Sequence, residues 1–427
     1  MLRCTSRFLS VRLVLALIGF LVLMACEQSE LNKNPFAPAN LIHRYGRIFV
    51  FSMDKKGEEA VFVYVPPAVP GEEGSWSQVF NNDTGAPVTP SEFQDDPPFR
   101  FGPPMALSSG REGGMHGRVT SQAASVPAGV AYLLDQYGVL YKFDPVSNAI
   151  VATLNFNQSI AGGAATSGHL AVTPDRNFAF ITANSSLPSF AQGSATVLVV
   201  DLNAFSIVST ITLPVSATYV PWSPAVAITP DGTLAYIVTQ PYSGIGPSNV
   251  FVIDVATRVI TTTIPVPADS HLGQIAIAPD GAKAYLVDSL DTSAFTIQVL
   301  DLQSNTLDTP ISIFPTTLND QIGPSYIALH PDGTRLYFIS LTGGPVQIVS
   351  IVTKAVTGTI PLAPGGRPSF GSQPRFTPDG ILLAFMNGPE SLVWVNTLTD
   401  TVDSTITLAP VPDGAIRNTG FFWVPGP

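Results

Sequence analysis

The amino-acid sequence predicts an all-β chain: a seven-bladed β-propeller with four-stranded blades. Its ring closes when the C-terminal strand enters the first blade as the innermost strand, beside the N-terminal strands. Three observations predict this. A turn built on Pro-Asp-Gly recurs at a period near 50 residues. Short runs rich in Val, Ile, Thr, Tyr and Phe fill each period, as half-buried strands require. The chain ends on an apolar strand with no room for partners after it, while spare strand-like runs stand at its start. Four strands per unit at this period mark a propeller blade rather than a solenoid turn.

Composition agrees. The 427 residues are 45% hydrophobic and 12% charged, which excludes a disordered chain. The 39 Pro and 35 Gly follow no Gly-X-Y period, which excludes collagen. With 20 basic against 31 acidic residues the net charge is −11, so the basic surplus of a nucleic-acid binder is absent.

Residues 1–25 read as a signal peptide. Arg3, Arg7 and Arg12 precede an apolar run of 13 residues, LVLALIGFLVLMA, which suits a secretory h-region and is short for a membrane span. The run ends Leu23-Met24-Ala25-Cys26, which resembles a bacterial lipobox and implies lipidation of Cys26. Several acyl chains on one Cys suffice for stable anchoring. The one other thiol, Cys4, leaves with the leader, so the mature chain has no disulfide and no Cys nucleophile. Loss of the three leader arginines leaves 17 basic against 31 acidic residues, a net charge of −14. That argues for contact with the membrane through the lipid alone rather than through a basic patch. Glu27 after the lipidated Cys implies, by the same resemblance, the outer membrane where a cell has two. Residues 26–42 form the lipidated Cys and a polar tether, and 43–427 form a single propeller.

The first blade takes its outer strands from RIFVFSM at 47–53, AVFVYVP at 60–66 and SWSQVF at 75–80. Residues 81–118 are rich in Pro, Gly and acid and show no strand signal, so they are expected as an irregular insertion between blades 1 and 2. Turn prolines then follow at 127, 174, 230, 279, 331, 378 and 425, at spacings of 47, 56, 49, 52, 47 and 47. Each Pro-Asp-Gly supplies a fixed φ, a side chain that caps its own turn, and a residue free to take positive φ. Third strands end at Asp201, Asp254 and Asp301, and Thr-rich fourth strands follow. The last strand, within GFFWVPGP, completes blade 1, which ties the chain ends together and leaves the ring without open edges.

The repeat resembles that of the YVTN-type β-propeller family. Pro230 to Val238 with Ala235-Tyr236, Pro279 to Val287 with Ala284-Tyr285, Val252-Ile253-Asp254 and Thr262-Thr263-Ile264 carry the likeness, which runs clearly over 127–427. The Thr-Asn end of the signature is mostly lost. These residues build turns and cores, so the resemblance implies fold far more than function. Relatives of this kind include lactone-hydrolysing enzymes, but no active-site motif of theirs maps onto the chain.

The repeated acids, among them Asp175, Asp231, Asp280, Asp332 and Asp379, read as turn caps. Tyr132, Phe180, Tyr236, Tyr285, Tyr337 and Phe385 read as an aromatic set at one strand position, packed between blades. The long connections fall on the face opposite the Pro-Asp-Gly turns, and propellers bind mainly on one rim. Near the inner-strand starts on that face lie His116, Arg118, His169, Trp222, His271, Arg367 and Arg417. In an acidic protein, cationic groups around an axial mouth make a candidate anion-binding site. His330 stands on the turn side and reads as structural. Gly-x-Ser-x-Gly, His-Glu-x-x-His, a phosphate loop and Cys-x-x-Cys-His are all missing, and Asn82-Asp83-Thr84 lacks the acids of a calcium loop. No catalytic residue, metal or cofactor is therefore expected. The expected function is non-catalytic binding or scaffolding at the bacterial envelope, toward another envelope protein or a small anionic ligand and not toward nucleic acid. A lactonase-like hydrolase at the tunnel mouth and a purely structural envelope component are the alternatives.

Overall fold

The computed structural model describes residues 47–53, 59–65, 75–78, 131–134, 138–144, 149–156, 165–185, 195–215, 221–241, 248–267, 270–288, 295–313, 325–340, 344–362, 374–377, 380–387, 391–407 and 417–424. Among them every regular element is a strand. Sheet 1 has the order β27 (Arg417–Val424), β1 (Arg47–Met53), β2 (Glu59–Val65), β3 (Ser75–Gln78). Sheet 2 has three described strands, β4 (Ala131–Leu134), β5 (Val139–Asp144) and β6 (Ala149–Asn155). The inner strand expected before β4 lies outside the described residues, as do the leader, the tether and the insertion.

The remaining sheets are four-stranded, antiparallel and ordered as the chain runs. Sheet 3 holds β7 (Ala165–Val172), β8 (Phe178–Ser185), β9 (Ala195–Asp201) and β10 (Ser206–Thr212). Sheet 4 holds β11 (Pro221–Ile228), β12 (Leu234–Pro241), β13 (Asn249–Asp254) and β14 (Val259–Ile264). Sheet 5 holds β15 (Leu272–Ile277), β16 (Lys283–Asp288), β17 (Phe295–Asp301) and β18 (Thr306–Ile313). Sheet 6 holds β19 (Ser325–Leu329), β20 (Arg335–Ser340), β21 (Val346–Ser350) and β22 (Ala355–Ile360). Sheet 7 holds β23 (Arg375–Phe376), β24 (Leu382–Met386), β25 (Ser391–Asn396) and β26 (Thr401–Thr407).

Contacts divide the chain into two units. One comprises Met1–Phe49, Val63–Ser77 and Trp423–Pro427, and the other Val50–Phe62 and Gln78–Phe422. Within the second, sheets 2 to 7 pack face to face in chain order. Leu134, Leu140 and Phe156 of sheet 2 meet Leu170, Ile181 and Leu198 of sheet 3. Phe180 and Val197 meet Ile237 and Phe251, and Tyr236 and Val252 meet Leu286 and Leu300. Tyr285 and Val299 meet Phe338 and Val349, and Tyr337 and Ile348 meet Phe385 and Val393. The first strands β7, β11, β15 and β19 are neighbours in turn. Strands covered on both faces need continuous apolar runs. Accordingly β9, β13 and β25 are buried nearly throughout, whereas the outer strands β10, β14 and β22 alternate and show Val208, Val259 and their threonines to solvent.

The Pro-Asp-Gly turns explain the repeat's punctuation. In sheet 4 the Thr229 hydroxyl donates to Asp231 Oδ1 at 2.6 Å, the Thr233 amide donates to the same oxygen at 3.0 Å, and Gly232 sits at φ 73°. Asp175 repeats this with Thr173 and Asn177, while Arg176 takes the left-handed place at φ 62°. Gly232 is glycine for a second reason: a Cβ there would stand 3.2 Å from Cδ of Pro174 in the preceding turn. At Gly380 the same Cβ would meet His330 and Pro331 at 3.3 Å. The turns of successive sheets therefore touch one another.

The second hairpin of each sheet also reaches its neighbour. Asp201, Asp254, Asp301 and Asn396 accept amides two or three residues on, and the fifth residue of each turn is left-handed without being glycine: Phe205, Arg258, Asn305 and Asp400, joined by Lys354 of sheet 6. Four of these side chains grip the second strand of the preceding sheet. Phe205 stacks on Tyr132 with ring centroids 6.3 Å apart, and the Arg258 guanidinium lies 5.0 Å above the Phe178 ring. The Tyr236 hydroxyl donates to Asn305 Oδ1 at 3.0 Å, and that of Tyr337 to Asp400 Oδ1 at 2.8 Å. Arg335 adds a bond to Thr397 O at 2.6 Å.

One sequence expectation needs correction. Phe385 does not share the strand position of Tyr236. Tyr236 pairs with Val252 and Ala227, and the register places Ala384 there, paired with Trp394 and Arg375. Phe385 faces sheet 6 instead. The bulk of the missing aromatic ring moves to the fully buried Trp394 and to Arg375, which stands where Ala171, Ala227, Ala276 and Ala328 stand in the other sheets. Desolvation lowers the Arg375 guanidinium to about 10.

Candidate functional site

Antiparallel pairing gives every sheet two chemically distinct ends. Both short hairpins lie at one end, and the second-to-third-strand connection and the crossing to the next sheet lie at the other. The second-to-third connections shorten along the chain, from 186–194 in sheet 3 through 242–248, 289–294 and 341–345 to 387–390 in sheet 7.

The turn end holds the repeated acids, and hydrogen bonds keep them ionised. The Thr173 and Thr229 hydroxyls hold Asp175 and Asp231 below the usual carboxylate range, and the Thr257 and Ser304 amides do so for Asp254 and Asp301. Asp308, on the outer strand, is drawn down to about 2 by the Thr309 amide and then by Lys283 and Lys354. His330 is a staple between turns. Its Nδ1 lies 2.8 Å from Asp332 Oδ1 and 3.2 Å from the Asp332 amide, its Nε2 lies 3.0 Å from Gly380 O in sheet 7, and Phe376 packs edge-on against the ring.

The loop end carries the sequence-predicted residues that fall within the described chain. His271 precedes β15, and its amide donates to Asp288 Oδ1 at 2.8 Å. Gln298 Nε2 donates to the other oxygen of Asp288 at 3.0 Å. The Ser248 hydroxyl of sheet 4 donates to Ser270 O at 2.7 Å and accepts the Leu272 amide at 3.0 Å, so a polar node links sheets 4 and 5. His169 sits in the bulge of β7, where its amide donates to the Thr182 hydroxyl at 2.7 Å and its side chain is only 4% exposed. The two histidines thus belong to different sheets and share one device, an amide held by a second-strand side chain. Trp222 pairs with Gln240 across β11 and β12, and Arg417 opens β27; the side chains of both lie outside the described residues. His116, Arg118, Arg367 and Cys26 also lie outside them. Among the described residues no group of three His, Cys, Asp or Glu stands close enough to hold a metal ion.

Sequence reasoning passed over Asp288, Gln298, Gln274 and Gln347, all buried polar residues toward the loop end. For Gln298 and Gln347 a signal was available, since they stand where sheets 3, 4 and 7 place Leu198, Phe251 and Val393.

The architecture is that of an all-β protein of repeated four-stranded antiparallel sheets, consistent with a propeller-like fold. No family model and no curated protein matches the chain. Solved structures that match it include the crystal structure of a functionally unknown protein from Desulfotomaculum acetoxidans, 15% identical with a TM-score of 0.45, over 70% of this chain and 80% of that one.

Proposed function

We propose that the chain is an exported, lipid-anchored seven-bladed propeller that serves as a binding or scaffolding module of the bacterial envelope and engages its partner through the loop end. The observation that carries this reading is the division of labour between the ends. At the turn end the acids are caps and the side chains lock sheet to sheet; at the loop end the connections differ in length and composition from sheet to sheet, as a recognition surface requires.

The seventh blade and the closed ring have support of their own. Val139 and Tyr141 of sheet 2 alternate with the residues that face sheet 3, yet both are buried. Leu382, Ala384, Leu392 and Trp394 lie on the face of sheet 7 turned from sheet 6, and all are fully buried. An open stack would leave both faces wet, so their burial supports a ring that closes.

Two measurements test the proposal. Cells fed a labelled fatty acid should mark the protein, and Cys26→Ala should abolish the label and release the protein from the membrane fraction. Photo-crosslinkers at the loop-end residues Asn249 and Thr296 should capture a partner that crosslinkers at the turn-end residues Thr233 and Thr257 do not. Equal capture from both ends would overturn the assignment of the loop end.

A further inference from the structure

We infer that the second hairpins of sheets 6 and 7 are an apolar contact surface for the lipid bilayer, so that the anchored molecule rests with its turn end toward the membrane and its loop end away from it. This rests on the reading of the chain as a lipid-anchored, closed ring, and adds the orientation. The repeat supplies an internal control, because equivalent hairpins can be compared sheet by sheet. The second hairpins of sheets 3, 4 and 5 open on the carboxylates Asp201, Asp254 and Asp301, and their exposed tips are Asn203-Ala204, Ala256-Thr257 and Gln303-Ser304. Those of sheets 6 and 7 open on the neutral Ser350 and Asn396, and their tips hold Val352 and Leu398 in solvent, 85% and 62% exposed. Among the described residues these are the two most exposed large hydrophobic side chains, and they occupy the same place in adjacent sheets. Scattered apolar residues need no explanation, but a matched pair gained where the acid is lost does.

The turn itself does not call for either change. The Ser350 hydroxyl accepts the Thr353 amide at 3.2 Å and Asn396 Oδ1 accepts the Leu398 amide at 2.9 Å, as Asp201 Oδ1 accepts that of Asn203 at 2.9 Å. The cap is kept and only its charge is removed. A carboxylate pressed against a headgroup boundary loses hydration at high cost, and a hydroxyl or carboxamide loses far less. The charges that remain beside these hairpins have partners of their own. Asp400 accepts from the Tyr337 hydroxyl at 2.8 Å and pairs with Arg335, Asp332 accepts the Thr334 amide at 2.8 Å, and Lys354 pairs with Asp308 at 3.2 Å.

The place where the tether joins chooses the occupant. In the closed ring β1 takes the second place of its sheet, beside β27, and second strands of the sister sheets start at the turn end. The 20 residues between Cys26 and Arg47 then lead from the turn end to the lipid, and that end reaches the bilayer with the least chain. Two side chains cover far too little area for a stable protein interface. They suffice beside an acyl anchor, which already holds the hairpins at the bilayer and leaves them only the orientation to set. The loop end is thereby turned outward, toward a partner.

The test uses the anchored chain in phosphatidylcholine vesicles. With Cys26 acylated, Val352→Cys, Leu398→Cys, Asn203→Cys and Thr296→Cys each carry a single free thiol for a nitrobenzoxadiazole label. A nitroxide borne on the lipid should quench the label at positions 352 and 398 at least threefold more than at 203 or 296. Val352→Asp should halve the quenching at position 398 and leave the melting temperature in detergent unaltered, because the side chain is exposed. Quenching at 352 and 398 no stronger than at 203 overturns the inference. So does unchanged quenching in the Val352→Asp variant, or a fall in its melting temperature, which would make the tip part of the fold. A protein captured in cells by a photo-crosslinker at Leu398, with the label unquenched in vesicles, assigns the surface to a protein and overturns the inference as well. A hexahistidine tag in place of residues 1–26, held on nickel-chelating lipid, supplies the tether without acylation. Quenching on that tether with no fatty-acid label on the native chain overturns the acyl anchor and keeps the surface, whereas a fatty-acid label without quenching keeps the anchor and overturns the surface.

Discussion

At the turn end of the sheets, side chains close on one another. Asp231 is held by Thr229 and Thr233, Tyr337 by Asp400, and His330 by Gly380 of the next sheet. At the loop end of sheet 5 Asp288 accepts the His271 amide and the Gln298 carboxamide, and Gln274 Nε2 has no hydrogen-bond partner among the described residues. The same repeat therefore builds both ends but constrains them differently. The turn end repeats its contacts from sheet to sheet because it joins neighbours, whereas at the loop end the Ser248–Ser270 bond joins sheets 4 and 5 among connections that differ in length from sheet to sheet.

The sharpest attempt to break this contrast is Tyr337→Ala. It removes a fully buried ring and its bond to Asp400, and should cost about 3–5 kcal/mol in urea denaturation. A loss below about 1 kcal/mol would show that the inter-sheet fastener is idle. Gly380→Ala comes next, because it forces a Cβ into a left-handed residue against His330 and Pro331, and a loss of about 1–2 kcal/mol in thermal melts is expected. Acid titration probes the caps together. Asp175, Asp231, Asp254 and Asp301 are depressed by hydrogen bonds in the folded chain, so the stability they contribute is present above the ordinary carboxylate value near 3.9 and is lost as pH falls below it. Asp231→Asn should lower the melting temperature on the neutral-pH side and flatten the acid limb, so that the gap to the parent closes as pH falls, as followed by melting temperature against pH. Thr296→Ala at the loop end should shift stability by less than about 0.5 kcal/mol, the ordinary range for a surface substitution, and a larger change would blur the two ends.

The repeat was legible because its signals are local: a proline, an acid and a glycine in a row, then alternating or continuous apolar runs. From Pro174 onward, counting from the turn proline exposes the misplaced aromatic, since the sixth residue on is Phe180, Tyr236, Tyr285 and Tyr337 but Ala384 in sheet 7. The fasteners between sheets were not legible. They use Phe205, Arg258, Asn305 and Asp400 at positive φ, where no glycine marks the conformation, and their partners lie about 60 to 80 residues upstream in the preceding sheet. The candidate site was half legible. His271 was found from its place near an inner-strand start, but the carboxylate that holds its amide was absorbed into a strand reading, because a single Asp at the end of KAYLVD resembles the acids that end third strands.

The left-handed residues of the second turns bear on how such a protein can be improved. A non-glycine residue at positive φ ordinarily invites replacement by glycine, which relaxes the backbone at little cost. Here that change would also delete the side chain that clasps the preceding sheet. Asp400→Gly would free the turn and in the same stroke release Tyr337 and Arg335. Local comfort and cohesion between sheets are set against each other at these positions, so a stabilising programme guided by backbone angles alone would loosen the molecule it set out to tighten.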